Sequence, residues 1–334
     1  MLLNNVGDPF DQAGYWKSHT KFFECEVIRF FGNLFQFKDV WGYVTSGGTE
    51  GNLEGLYVGR NYLKAKYHHD PKAFYSIASH YSIKKNIDVI NVPSAAMPVN
   101  EKDEIDLNAL KEAIRETPSD IPILINANIG TTMKGAVDDL KGIVAVLKEL
   151  NRNDYYIHAD MALYGLIYRF FGDFDETFVQ HVSSFAISGH KLLTQSFPSG
   201  IFVGHKNRID VGFDTKWVSY IGAPDNTISG SRNGLLPLLI HAKISKGEDF
   251  LRDQVRCCLE VCQHLYSQMN DVLHYPCHRS TDYAIIVYFQ KPPEEICVKY
   301  QLACHDDFAH IVCMPHINKE MIDRFIDDLR ACQK

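Results

Sequence analysis

Short apolar stretches that favour β-strands alternate with amphipathic helical stretches from about residue 41 onwards. The stretches 122–128 (PILINAN), 155–160 (YYIHAD) and 184–189 (SFAISG) are rich in residues typical of strands buried on both faces. Between the first two, residues 138–151 place their apolar side chains on one helical stripe. This alternation predicts a largely parallel sheet with helices on both faces, an α/β fold.

Further elements of the same kind are predicted on both sides of these strands. Strands are expected at 73–79 and 200–205, and a helix at 106–116 begins after Asp106, a residue type that caps helix N-termini. The pattern changes after residue 234. There a long helical stretch runs through about 235–270.

The last part of the chain has its own pattern. Strands are expected at 283–290 and 309–315, and a final amphipathic helix starts at Lys319. We therefore divide the chain into an N-terminal segment, a large domain and a small α+β domain, with bounds 1–40, 41–234 and 235–334.

Composition limits the function classes. The 334 residues are 46% hydrophobic and carry a net charge of −7, so no basic surface for nucleic acid is expected. No apolar run reaches the length of a membrane span. The start, MLLNNVGDPF, does not resemble a signal peptide, so a cytoplasmic protein is expected. The nine cysteines are scattered without a C-x-x-C pair, and no metal site is predicted.

A glycine pair separates a strand-like stretch from a helix at 46–49 (SGGT). Glycines let the backbone approach a ligand closely, and a helix N-terminus offers free N–H groups to an anion. The stretch lacks the Lys-Ser/Thr of a Walker A loop and the G-x-G-x-x-G of a dinucleotide site. A single phosphate fits better. The alternative is an ordinary turn between a strand and a helix.

Two charged residues also follow predicted strands. Asp160 ends the strand 155–160, and Lys191 follows the strand 184–189. In an open α/β sheet ligands gather at the carboxyl ends of strands. Taken singly, Asp160 could cap the next helix and Lys191 could be a surface lysine. Taken with the glycine pair, they are a phosphate loop, a carboxylate for a ring nitrogen and a lysine for a Schiff base, the anchors of pyridoxal phosphate. A zinc site at His158 and Asp160 lacks a third ligand.

Six motifs extend this pattern into a family resemblance. They are GGTEGN (47–52), SHYS (79–82), NIGTTMKGAVDDL (128–140), HADMAL (158–163), SGHK (188–191) and SGSRNG (229–234). The chain resembles the group II pyridoxal-phosphate amino-acid decarboxylases, in the branch of bacterial histidine decarboxylases and plant serine decarboxylases. The resemblance implies an aspartate-aminotransferase-like fold (PLP fold type I) with a mostly parallel seven-stranded sheet. It also implies an amino-acid substrate and a homodimer with sites at the subunit interface.

The resemblance assigns roles to individual residues. Lys191 would bind pyridoxal 5′-phosphate as a Schiff base, Asp160 would pair with the pyridine nitrogen, and His80 would stack on the ring. The remaining cofactor contacts would be Gly48, Thr49, Ser188 and His190 at the phosphate, Thr132 on the side of the ring hydroxyl, and Ala162 beneath the ring.

Residues 217–234 resemble the family's mobile loop, which reaches the neighbouring subunit's site. Tyr220 is the candidate for the proton donor or for a substrate contact. The alternative is that the loop around Tyr220 only connects two elements of the fold. Ser231 and Arg232 would serve the partner's phosphate site or the dimer interface. For Arg232, a salt bridge at the interface is favoured over direct catalysis.

The chain departs from the family pattern at a few positions. Thr194 and Ser196 replace glycine and proline, Leu235 replaces histidine, and Met161 stands where small residues are common. We expect these positions to border the substrate pocket. The N-terminal segment, which contacts the partner subunit in relatives, is expected to be shortened.

Three hypotheses remain for the activity. The first is decarboxylation of an L-amino acid, with histidine (giving histamine) ahead of serine (giving ethanolamine). The second is another pyridoxal-phosphate reaction, such as aldehyde-forming oxidative deamination. The third is a catalytically poor homologue with a regulatory role, against which the intact set of Lys191, Asp160 and His80 argues.

Overall fold

The computed structural model describes residues 2–11, 14–214 and 217–332. Its largest element is a seven-stranded sheet. The strands are β1 (Val40–Thr45), β2 (Lys72–Ser76), β3 (Ser94–Met97), β4 (Ile123–Asn128), β5 (Tyr155–Asp160), β6 (Val182–Ser188) and β7 (Gly200–His205). They are arranged in the order β1-β7-β6-β5-β4-β2-β3.

Six of these strands run in one direction. β2 pairs in parallel with β3 and β4, and β4-β5-β6 continue in parallel, whereas β7 is antiparallel to both β6 and β1. The mostly parallel seven-stranded sheet expected from the sequence is therefore confirmed. Because β7 alone is reversed, the carboxyl ends of β1, β4, β5 and β6 lie at the same edge.

Helices cover the sheet. They are α1 (Lys21–Leu34), α2 (Gly48–Tyr67), α3 (Tyr81–Ile90), α4 (Leu107–Arg115), α5 (Leu140–Glu149), α6 (Gly165–Phe171), α7 (Glu176–His181) and α8 (Lys206–Gly212). The predicted cap is present, since Asp106 accepts hydrogen bonds from the backbone N–H groups of Asn108 and Ala109. The side chains buried between the layers form two hydrophobic clusters, one around Phe31, the other around Tyr156.

The helix α2 packs against the sheet through a stripe of glycines. A Cβ at Gly51 would lie 2.9 Å from Ala186 Cβ, and one at Gly59 would lie 2.7 Å from Leu124 Cδ1. At Gly55 the collision would be with His158, at 2.1 Å from Nδ1. These spacings of four residues place the glycines on one helix face. The missing side chains bring the N-terminus of α2 close to β5 and β6.

The part of the chain after residue 234 holds four further helices and a second sheet. The helices are α9 (Leu235–Ile244), α10 (Glu248–Ser267), α11 (Glu294–Tyr300) and α12 (Lys319–Ala331). The helical stretch predicted for about 235–270 is present, but it is not one helix. It is divided into α9 and α10 at Gly247, whose φ of +90° ends one helix before the other begins. A π-helical turn, Gln268–Val272, follows α10.

The remaining strands form two small sheets. Two of them, β8 (Trp217–Val218) and β9 (Ala223–Pro224), pair as a hairpin. The other four are β10 (Cys277–His278), β11 (Ile286–Gln290), β12 (Ala303–His305) and β13 (Phe308–Val312), in the order β10-β11-β13-β12. They are all antiparallel.

The four-stranded sheet is joined to the large sheet by hydrogen bonds near its carboxyl edge. The N–H of Ile285 donates to the hydroxyl of Tyr164 over 3.3 Å, and Oγ of Ser280 donates to the carbonyl of Lys134 over 2.6 Å. A pocket can therefore form between the two sheets. Across the described ranges, the helices are too short or too polar to cross a membrane.

Candidate active site

A cavity of about 510 Å³ lies at the carboxyl edge of the large sheet. Its wall comes from both sheets. The predicted residues on the wall are Gly48, Thr49, His80, Thr132, Asp160, Ala162, Ser188, His190 and Lys191. The convergence of strand ends therefore brings together residues that are up to 143 positions apart in the sequence.

The phosphate-binding candidates surround the N-terminus of α2. A Cβ at Gly48 would lie 2.5 Å from Ser188 Oγ and 3.3 Å from Ala162 Cβ, so this position accommodates only glycine without a shift. Nδ1 of His190 lies 3.0 Å from the carbonyl oxygen of Ser199, which leaves its Nε2 for the cavity. Free N–H groups at a helix start, together with a hydroxyl and an imidazole, suit a phosphate group.

Asp160 is the last residue of β5, and Lys191 follows the neighbouring parallel strand β6. Asp160 is 7% exposed, and its Oδ1 accepts a hydrogen bond from the N–H of Ala162 over 3.1 Å. It does not cap the next helix, which begins after Tyr164. Burial lowers the pKa of Lys191, and the Asp160 carboxylate opposes that shift only in part. Lys191 is therefore a partly buried lysine facing a carboxylate, and the loss of its proton is favoured.

His80 lies at the N-cap of α3 and faces the cavity. Its Nδ1 is 2.8 Å from Oγ of Ser82 and accepts a hydrogen bond from the Ser82 N–H over 3.3 Å. Burial lowers the pKa of His80; the charge of Asp160 raises it and that of Lys191 lowers it. The result is a neutral ring whose orientation is held by Ser82.

Thr132 lies in the loop between β4 and α5. Asp138 holds this loop, because its Oδ2 accepts from the N–H of Asn128 over 2.7 Å and its Oδ1 accepts from the N–H of Ile105 over 2.7 Å. Burial raises the pKa of Asp138 to about 6. Asp138 is therefore a positioning residue for the cavity wall.

Several wall residues were not singled out as site residues from the sequence. They include Ser46, Glu50, Asn128, Thr131, His310, Val312 and Met314. Glu50 had a signal, as the acidic residue of GGTEGN; its Oε2 accepts from the N–H of Ser46 over 2.8 Å and so holds the glycine turn. The sequence assigns His310 no role, because β13 approaches the cavity only through tertiary packing.

Tyr220 lies outside the cavity of its own chain. Its side chain is 83% exposed. Arg232 is buried and pairs with Glu24 of the same chain, with Nη2 3.2 Å from Oε2. This salt bridge of Arg232 lies within one chain. Ser231 is exposed and accepts a hydrogen bond from Asn4 over 3.1 Å.

The positions that depart from the family pattern do not border the cavity as expected. Met161 is fully buried in the hydrophobic core, and Leu235 is 40% exposed. Thr194 and Ser196 are exposed and lie outside the cavity wall. These positions therefore lie outside the wall that this chain contributes to the site.

The donor set fits pyridoxal 5′-phosphate. Gly48, Ser188 and His190 form a phosphate cradle, in which Gly48 approaches Ser188 closely only because it has no Cβ. Asp160 offers a buried carboxylate to a ring nitrogen, and Lys191 offers an amine with a lowered pKa to an aldehyde. Within the described ranges, no cluster of three His, Cys, Asp or Glu residues could hold a metal ion.

Comparisons with known proteins identify the family. The sequence model of the pyridoxal-dependent decarboxylase conserved domain matches residues 44–278. Serine decarboxylase 2 of Oryza sativa subsp. japonica is 35% identical, over 99% of this chain and 70% of the rice protein. Histidine decarboxylase of Morganella morganii is also 35% identical, over 98% of this chain and 86% of that protein.

Among solved structures, L-methionine decarboxylase from Streptomyces sp. 590 superposes with a TM-score of 0.84. It is 23% identical, and the match covers 98% of this chain and 87% of that one. That likeness shows the fold, PLP fold type I, which agrees with the expectation from the sequence. With the family match over most of the chain, the conclusion is that this chain belongs to the pyridoxal-dependent decarboxylases, which are carboxy-lyases that act on amino acids with pyridoxal 5′-phosphate as cofactor.

Proposed function

We propose that the substrate is an L-amino acid with a polar, uncharged side chain, with histidine ahead of serine. The relatives named histidine decarboxylase and serine decarboxylase support both, at equal identity. The cavity wall supports a substrate side chain without negative charge. Among the described residues of the wall, Lys191 is the sole lysine, and no arginine occurs. An acidic side chain would therefore lack a second cation to pair with.

The observation that supports these roles best is the meeting of Lys191, Asp160 and His80 in one cavity. We assign Lys191 to covalent binding of the cofactor through Nζ, Asp160 to the pyridine nitrogen and His80 to the ring face. The cofactor, when bound, withdraws electrons from the bond to the leaving carboxylate. The neutral His80 ring adds no positive charge that would hold that carboxylate in place.

The other predicted residues receive supporting roles. Gly48, Thr49, Ser188 and His190 hold the phosphate, with Thr132 and Ala162 at the ring. A polar donor set at one end and Lys191 at the other would fix the cofactor and leave one side of the cavity for the substrate. Holding the α-carboxylate bond perpendicular to the ring selects decarboxylation over other reactions.

We further propose a homodimer in which Tyr220 of one subunit donates the proton in the other subunit's site. Tyr220 does not line the cavity of its own chain, and its side chain is 83% exposed. Large apolar side chains are exposed next to wall residues in the sequence: Tyr81 beside His80 is 75% exposed, and Phe197 beside Pro198 is 50% exposed. A second copy of the chain would cover them.

We also propose two further properties of the chain. One is the division at residues 40 and 234 into an N-terminal segment, a large and a small domain, which limited proteolysis tests. The other is a cytoplasmic location, which cell fractionation tests.

The activity is tested by measuring CO₂ release from twenty L-amino acids. Turnover of histidine, or secondarily of serine, supports the proposal; turnover of neither contradicts it. Measuring ammonia and hydrogen peroxide in the same samples identifies aldehyde-forming oxidative deamination. After borohydride reduction, the peptide containing Lys191 should carry the mass of the cofactor. Lys191→Ala should lose that mass and all turnover, while the exposed Lys206→Ala should keep both.

The dimer proposal is tested by complementation. Lys191→Ala and Tyr220→Phe should each be inactive alone. If Tyr220 acts across the interface, their co-expressed mixture should regain about a quarter of the wild-type rate, because half the dimers are mixed and each has one intact site. No recovery would place the tyrosine in its own subunit's site, and an active Tyr220→Phe variant would refute its role.

A further inference from the structure

His310 has an unsatisfied polar atom in the wall of the cavity. It lies in β13, two residues before Val312 on the same strand face, and both side chains line the cavity. The residue is 7% exposed. Its Nδ1 is buried without a hydrogen-bond partner among the described residues. Such a group costs about 1–3 kcal/mol, so it calls for an explanation.

The geometry leaves one edge of the ring for a ligand. Nδ1 has no contact with solvent, so the part of the ring that reaches the cavity is the edge with Nε2. Burial lowers the pKa of His310. The ring is therefore neutral at pH 7 and exchanges a single hydrogen bond at Nε2, as donor or acceptor depending on the tautomer.

The wall residues nearest to His310 along the chain are apolar. Val312 and Met314, from the same strand and its end, complete this part of the wall. A mostly apolar wall with one convergent polar group is typical of a pocket for a side chain. A neutral ring supplies no counter-charge to a carboxylate, so the substrate's α-carboxylate is a poorer match for it than a hydroxyl or an imidazole.

We propose that His310 selects the substrate by its side chain: Nε2 hydrogen-bonds to an uncharged hydroxyl or imidazole group, while Val312 and Met314 pack against the methylene. This inference rests on the proposed function, because it assumes an amino-acid substrate in this cavity. A hydroxyl or an imidazole can both donate and accept, so either matches either tautomer of His310.

The test compares pairs of substrates that differ only in this group. L-Serine is paired with L-2-aminobutyrate, which has a methyl in place of the hydroxyl. L-Histidine is paired with L-β-(2-thienyl)alanine, a five-membered ring without the imidazole nitrogens. For the wild-type enzyme kcat/KM should favour the polar member of the pair it uses. In His310→Leu this ratio should fall by a factor of about 10–100, because no partner is left for the polar group.

Control variants separate recognition from folding. His310→Asn keeps an N–H group and should retain part of the preference. His305→Leu changes an exposed histidine of the same sheet and should keep the wild-type ratio. Thermal unfolding and the cofactor's absorbance show whether each variant is folded and loaded. If His310→Leu does not fold, His310→Asn and His310→Gln carry the comparison.

Two outcomes would overturn the inference while leaving the proposed function intact. Equal losses for both members of a pair would mean that His310 acts on a group common to all amino acids. An unchanged ratio would mean that it does not contact the side chain. A wild-type enzyme that turns over neither serine nor histidine would instead refute the proposed function, and this inference with it.

Discussion

The hydroxyl of Tyr43 lies 3.2 Å from Oε2 of Glu54, where neither side chain reaches solvent. The same hydroxyl lies 3.3 Å from Oε1 of Glu50. Because a hydroxyl has one proton, it can donate to only one of the two carboxylates. Burial raises the pKa of Glu54 to about 8, despite the hydrogen bond with Tyr43. A protonated Glu54 can donate to Tyr43, which then donates to Glu50.

This arrangement predicts how stability depends on pH. Glu54 ionises near pH 4.5 when exposed and near pH 8 when folded, so between those values the folded protein holds one proton more than the unfolded chain. The contribution of Glu54 to the free energy of unfolding should therefore fall as the pH rises from about 5 to 8, by roughly 3 kcal/mol. The free energy of unfolding of Glu54→Gln should equal that of the wild type at pH 5 and exceed it at pH 8. Urea unfolding at several pH values measures this; parallel pH profiles would contradict it.

Gly48→Ala should weaken cofactor binding by a factor of about 10 or more, because the added Cβ meets Ser188 Oγ where the phosphate is expected. Titration with pyridoxal phosphate, followed by absorbance, measures the change. An affinity equal to that of the wild type would argue against the cradle at Gly48.

Arg232→Met should destabilise the protein by about 3–5 kcal/mol, because it leaves the Glu24 carboxylate buried without its cation. Glu24 would keep its hydrogen bonds from Asn5 and from the N–H of Val44. Denaturant unfolding measures the loss. Adding Glu24→Gln to Arg232→Met should restore part of the stability, since it removes the unpaired charge.

The exposed ion pair of Arg330 and Asp327 provides the comparison for that experiment. Arg330→Met should change the stability by about 0.5 kcal/mol or less, because water solvates both groups. If Arg232→Met and Arg330→Met lowered the free energy of unfolding by similar amounts, burial of the Arg232–Glu24 pair would not add to stability.

Thr194→Gly should stabilise the protein relative to Ser196→Gly by about 1–2 kcal/mol. Thr194 has a φ of +53°, in the left-handed region that a β-branched residue adopts at a cost. Ser196 is not in that region, so its replacement reports only the added freedom of glycine in the unfolded chain. The hydrogen bond from Lys243 to Thr194 is exposed and contributes little. Equal effects of the two substitutions would contradict strain at Thr194.

The sequence patterns located the part of the site that depends on local order. Asp160 and Lys191 were placed at strand ends by the apolar stretches before them, and the structure has β5 and β6 ending at Asp160 and Ser188. Since parallel strands end at one edge, these residues and Gly48 had to converge. The order of apolar and polar residues along each strand was sufficient to predict where the strand ends, because this order depends only on residues close together in the sequence.

Other features depend on contacts between distant residues. The reversed direction of β7 follows from its pairing with β1 and β6, since an apolar stretch looks the same in either direction. The close approach of α2 to the sheet requires Gly55 to meet His158, about a hundred positions away in the sequence. The break at Gly247 is a local feature, yet the apolar pattern on both sides concealed it.

By itself, the sequence determined the parallel sheet, the strand ends that carry Lys191 and Asp160, and the glycine turn of the phosphate cradle, because periodicity and turn chemistry act over a few residues. Only the tertiary structure decided that His310 lines the cavity, that Arg232 pairs with Glu24, and that Tyr220 lies outside the cavity of its own chain. These three features depend on which surfaces of the chain pack together. Burial, rather than residue type, decides that the charge of Arg232 is paired and that Nδ1 of His310 is left without a partner among the described residues.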